Sequence, residues 1–188
     1  MKGNRAKVMD RWYGDNRISR YRHGERAPFK GEPQYTLDQL FITPFTHVLT
    51  EDGAGRKEYT PIERNLSPTG IHVLDAYLQR LHRGDFDVAA FCASYNARTQ
   101  DLNGLMFLLT GMSNLAFRNR WQLRTADLLL RHTDMNIEEI ALRCGAGTRT
   151  NLYFIYEREL DMSPTDRRNQ LRRPGDLEKY RIEEKKQS

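Results

Sequence analysis

With 188 residues, 30 Lys and Arg against 25 Asp and Glu, and a net charge of +5, the chain has the length of one ordinary domain with extensions. No apolar run is long enough to span a bilayer, and Met1-Lys2-Gly3-Asn4-Arg5 leads into no signal-peptide core, so the expected location is the cytoplasm, away from any membrane. Two cysteines, Cys92 and Cys144, are too few for a disulfide framework or a metal cluster and are read as buried, inert thiols.

Residues 1–34 alternate Arg, Tyr, Gly and Pro with few aliphatics, a composition that builds no core of its own. Basic residues interleaved with Trp12, Tyr13 and Tyr21 suit a grip on nucleic acid by charge and stacking; a solvated tail is the other reading. Residues 35–66 hold one apolar stretch, Leu37 to Leu49, broken by Pro44 and followed by Asp52-Gly53-Ala54-Gly55. That pattern predicts a short helix and then an extended strand or hairpin. Residues 1–66 as a whole are expected to form a basic, mostly irregular extension.

Ser67-Pro68 predicts the start of a helical domain, with serine as cap and proline in the first turn. Val73, Leu74, Tyr77, Leu78 and Leu81 mark one helical face, stopped at Arg83-Gly84. Asp87 caps a second helix, Val88 to Ser94, and Asn96 suits a left-handed turn. A third helix runs from Thr99 to Leu109 and closes at Gly111; a long fourth covers about Asn114 to Arg131. Asn136 caps a fifth, Ile137 to Arg143, ending at Cys144-Gly145. The sixth spans Arg149 to Leu160, and Ser163-Pro164 opens a short seventh, Thr165 to Arg172. The expected fold class is therefore all-α, with seven helices over 67–172 and a charged tail over 173–188.

The helical region contains a repeat. Leu109-Thr110-Gly111-Met112-Ser113-Asn114 returns as Glu159-Leu160-Asp161-Met162-Ser163-Pro164. Phe91, Cys92, Asn96, Leu102, Leu105 and Met106 correspond to Ile140, Ala141, Gly145, Leu152, Ile155 and Tyr156, offset by 49 before the turn and 50 after it. A period near fifty raises a solenoid, but two copies cannot make one. Paired helix-turn-helix units, 87–111 and 137–160, joined by a long connector are the better reading, and they point to DNA. Every cation of residues 67–172 is arginine, 13 against 12 acids; arginine forms forked contacts with phosphate and guanine that lysine cannot.

Ala126-Asp127-Leu128-Leu129-Leu130, then Ile137-Glu138-Glu139-Ile140-Ala141, Gly145, and Met162-Ser163-Pro164 with Arg168 resemble the AraC-type (AraC/XylS) DNA-binding domain of bacterial transcription regulators. The resemblance extends from the Leu74 region to Arg172; residues 1–66 match no family. It implies a transcription regulator that binds specific double-stranded DNA, each unit placing its second helix in a major groove and the connector spacing the two along adjacent grooves. The implied DNA-binding residues are Arg98, Thr99, Gln100 and Asn103 in the first unit and Thr148, Arg149, Thr150, Asn151 and Tyr153 in the second. Arginine pairs with guanine, Asn or Gln with adenine, and Thr or Tyr with phosphate or a thymine methyl. RNA polymerase or another protein is a further implied partner. No cofactor, metal or small-molecule effector is expected in this chain, whose length leaves no room for a sensor domain.

The pattern breaks in places. Gly104 and Phe154 stand where the family carries a basic residue, Gln122 replaces the connector's arginine, and Ala146 replaces a phenylalanine. Mid-helix glycine costs about 1 kcal/mol against alanine. Phe107, Leu108 and Phe154 are apolar where most relatives are polar, and two readings stay open. Either a neighbouring segment such as 35–66 buries them, or they mark a protein-interaction surface. The second describes a degenerate helix-turn-helix module in a larger assembly with weak or no DNA binding, and the near-neutral charge of the region leans that way.

Nothing in the sequence supports catalysis. His23, His47, His72, His82 and His132 have no metal-ligand spacing, and His82 and His132, at polar helix ends, are read as solvated or capping. Asp87 is explained as a cap and Glu138-Glu139 as first-turn acids. Gly145-Ala146-Gly147 is a turn that follows no strand, unlike a phosphate loop.

Overall fold

The computed structural model describes residues 29–182; the readings made for Trp12, Tyr13, Tyr21 and His23 fall outside them. The described residues form eight helices and three strands: α1 Leu37–Leu40, β1 Phe45–Glu51, β2 Lys57–Pro61, α2 His72–His82, α3 Val88–Ser94, α4 Thr99–Thr110, α5 Asn114–His132, α6 Ile137–Arg143, α7 Arg149–Leu160, α8 Pro164–Leu171 and β3 Tyr180–Ile182. They divide into two compact units. The first takes residues 29–40 and 86–121, the second 41–85 and 122–182, so α5 contributes to both.

In the first unit the Asp87 side chain accepts the Ala90 N–H and starts α3, satisfying a donor that the helix leaves open. Asn96 turns the chain at φ 51, and α4 follows. Phe91, Cys92, Leu102, Met106, Phe117 and Trp121 are buried. The chain before α1 lies along α4: the Tyr35 N–H donates to the Leu109 carbonyl at 2.9 Å, and Phe29 meets Phe107 edge-on with centroids 5.4 Å apart.

The second unit corrects the expected all-α fold. β1 is the central strand of a three-stranded antiparallel sheet ordered β2-β1-β3, with His47 opposite Pro61 and Phe45 opposite Ile182. The hairpin expected in 35–66 is present as β1 and β2, most of the other described residues of the extension are irregular, and Tyr180–Ile182 of the tail adds the third strand. Phe45, 1% exposed, stacks on Tyr180 at 4.6 Å, and His132 is edge-on to both rings. The buried Asp176 accepts from Arg131 Nε at 2.8 Å and from the Arg173 N–H at 2.8 Å. His132 Nδ1 lies 3.0 Å from the Asp176 carbonyl. His132 is thus buried and bonded, not solvated at a helix end, and burial pulls its pKa below the usual histidine value.

A second correction concerns the start of α2. Ser67-Pro68 begins no helix; the cap position is Ile71. Asp75 reaches back and accepts from the Thr69 N–H and hydroxyl at 2.8 and 2.7 Å, holding the preceding residues in a turn. Leu74, Tyr77, Leu78 and Leu81 are buried as expected. Gly84, at φ +79, lies where a Cβ would come 3.2 Å from the carbonyl oxygens of Leu142 and Arg143, so the end of α2 meets the end of α6 by backbone approach. Asn136 and Glu139 cap α6 reciprocally. Asp127 on α5 accepts from the buried Tyr156 hydroxyl on α7 and from Arg167 on α8 at 2.6 Å, joining three helices. Cys92 and Cys144 are buried thiols, and burial pushes Cys144 up to about 11.

Candidate nucleic-acid interface

In the first unit, Arg98, Thr99 and Gln100 are exposed at the start of α4, and Asn103 is half-buried one turn on. Asn103 Oδ1 accepts the Asn114 N–H at 2.9 Å, which ties it to the start of α5 while a second lone pair and the amide N–H groups remain for another partner. Arg98 is engaged too. The Asp101 carboxylate takes its Nε and Nη2 at 3.2 and 2.9 Å and its backbone N–H at 2.9 Å. Those bonds and the arginine's charge hold Asp101 below the usual carboxylate range. Gly104 faces open space, with no atom near the position of a Cβ.

In the second unit, Thr148, Arg149, Thr150 and Asn151 are exposed and Tyr153 is half-buried. Thr148 is the cap of α7, its hydroxyl accepting the Asn151 N–H at 3.2 Å. The Asn151 amide donates to the Ala146 carbonyl at 3.2 Å, closing the turn before α7. Tyr153 Oη lies 3.2 Å from Thr165 Oγ1 in the first turn of α8, and the Arg149 guanidinium sits over its ring at 5.4 Å. The Thr165 bond, then Arg149, lower the Tyr153 phenol below the usual tyrosine value. Gln122 donates to the Gly145 carbonyl at 2.9 Å, so its amide serves the turn before α7. Ala146 is buried.

The apolar residues divide. Phe107 is half-buried against Phe29, whereas Leu108 is 66% and Phe154 68% exposed. Burial by residues 35–66 is therefore not the explanation for those two. The sequence did not reveal the grip of Asp101 on Arg98 or the support of Tyr153 by Thr165. The first was visible only as an i, i+3 pair of opposite charge, and the second had no signal. Among the described residues no helix is long and apolar enough to cross a membrane, and no group of His, Cys, Asp and Glu is arranged to hold a metal.

The curated relatives that this chain matches are helix-turn-helix-type transcriptional activators, in keeping with the resemblance read from the sequence. The activator RhaS of Klebsiella pneumoniae is 34% identical over 74 residues, 39% of this chain and 27% of its own length. The activator RhaR of Yersinia pestis is 30% identical over 118 residues, 62% of this chain and 41% of its own length. The chain spans less than half the length of these curated relatives, and no family model matches it. Among solved structures, the C-terminal domain of the response regulator AraT of Geobacillus stearothermophilus aligns with 65% of this chain and 93% of its own, at 19% identity and TM-score 0.47. The DNA-binding domain of the global transcriptional factor AdpA aligns with 53% of this chain and 88% of its own, at 27% identity and TM-score 0.42.

Proposed function

We propose that the chain is a bacterial, cytoplasmic regulator of transcription that binds specific double-stranded DNA through two helix-turn-helix units. The observation that carries this reading is homology to helix-turn-helix transcriptional activators, together with exposed Arg, Thr, Gln and Asn side chains at the starts of α4 and α7. Helix starts bearing these types are suited to base edges and phosphates. α4 and α7 act as the recognition helices, α5 as the connector, and the two units read adjacent major-groove segments one helical turn apart. The basic first 30 residues add sequence-independent attraction to phosphate. The chain is not an enzyme in this reading.

A second reading is favoured by one observation, the exposure of Leu108 and Phe154. Bare apolar groups on recognition helices suit a protein partner better than a wet, charged groove, and RNA polymerase or another regulatory protein fits the role. Selection from a random duplex library, with the winners titrated from low to physiological salt, separates the two. Enrichment that survives physiological salt, in one block or in two about 10 bp apart, supports the DNA reading. Binding that vanishes as salt rises, with no enrichment, supports the protein-interaction module.

A further inference from the structure

The two recognition helices are built unequally, and the difference deepens the DNA-binding reading, on which this inference rests. By the fifty-residue offset, Asn103 of α4 corresponds to Tyr153 of α7, Thr99 to Arg149 and Asp101 to Asn151. Asn103 and Tyr153 do the same structural work, each bonding to the first turn of the following helix, at Asn114 and Thr165. In α7 this fixes an aromatic ring beneath the Arg149 guanidinium. An arginine resting on a held ring has fewer rotamers to lose when it meets a base, and its planar fork stays available.

α4 has no such arrangement. Its arginine, Arg98, precedes the helix and is gripped by Asp101 through two guanidinium nitrogens. The carboxylate also accepts the Arg98 backbone N–H, so it remains at the helix start even when the side-chain pair opens. A carboxylate there approaches two rows of phosphates, and the pair as a whole offers no net positive charge.

We propose that base reading is concentrated in the second unit, with Arg149 as the reader and Tyr153 as its positioning residue, while Asp101 restrains the first unit to weak contact. The test uses the full chain and the random duplex library, and melting temperatures accompany each variant. The expected result is one dominant block of preferred bases. Arg149→Ala lowers affinity for it about ten- to a hundredfold and erases preference at one base pair. Tyr153→Ala weakens the same base pair roughly two- to fivefold and adds nothing to Arg149→Ala, whereas Tyr153→Phe, which keeps the ring but loses its bond to Thr165, weakens it less. Asp101→Asn keeps an acceptor for the Arg98 N–H but loses the charge; it tightens binding and brings up a second block. Two equal blocks in the wild type overturn this inference alone. So does preference untouched by Tyr153→Ala, or weaker binding by Asp101→Asn, which would make Asp101 a reader of cytosine N4. No enrichment by any variant overturns the DNA-binding reading and this inference with it.

Discussion

Asp127 joins α5, α7 and α8 by accepting from Tyr156 and Arg167. Asp127→Ala leaves the buried Tyr156 hydroxyl without its acceptor, at an expected cost of about 2 kcal/mol, measurable by urea unfolding. His132 gives a pH signature. Burial lowers its pKa in the folded state, against the attraction of Asp176, so the unfolded chain takes up a proton more readily. Its contribution to stability is complete above the ordinary histidine value of about 6.5 and is lost as pH falls from there through the depressed folded value. Unfolding midpoints at pH 7.5 and 5.5 should therefore differ, and His132→Gln should shrink the difference. Neither residue's partners were legible in the sequence. Asp127 lies 29 positions from Tyr156 and 40 from Arg167, and His132 lies 44 from Asp176, separations at which local pattern carries no information.

Two glycines make opposite predictions for the elements they serve. Gly104 sits inside α4 with nothing close to a Cβ position, so Gly104→Ala should stabilise the chain by about 1 kcal/mol through helix propensity. Gly84→Ala forces a side chain into the left-handed region and against two carbonyls, at an expected cost of roughly 1–3 kcal/mol. Thermal melting of the two variants should move in opposite directions. Helix ends were the most legible feature of this chain where the capping residue acts locally. Asp87, Asn136 and Ser163 each accept an N–H within the first turn, and that chemistry is confined to neighbouring residues. Ser67-Pro68 misleads because Asp75 draws Thr69 into a turn from six residues away. β3 was illegible because it spans only three residues between charged neighbours, and its evidence is the distant β1. At the candidate site, the residue types were legible from the repeat, but the partners that bias them were not.

For the whole molecule, the charge distribution makes a salt prediction. The excess of Lys and Arg in the first 66 residues lies before Pro33. Deleting residues 1–30 should therefore weaken binding to every duplex and flatten the dependence of affinity on salt; an unchanged slope removes that segment from the DNA contact. The path of the chain carries a different consequence. The second unit opens before the first is complete and closes after it, and the Thr46 hydroxyl bonds the Arg181 carbonyl across 135 positions. At ordinary rates of protein synthesis, β1 leaves the ribosome on the order of ten seconds before β3. During that interval Phe45 lacks Tyr180, and for its first part His132 as well, and one edge of β1 is unpaired. Helices α3, α4 and α6 can form from neighbouring residues as they emerge, but the sheet must wait. The nascent chain therefore passes through a stage with most of its helices made and a bare apolar strand, where chaperone capture and edge-to-edge association compete with completion of the fold.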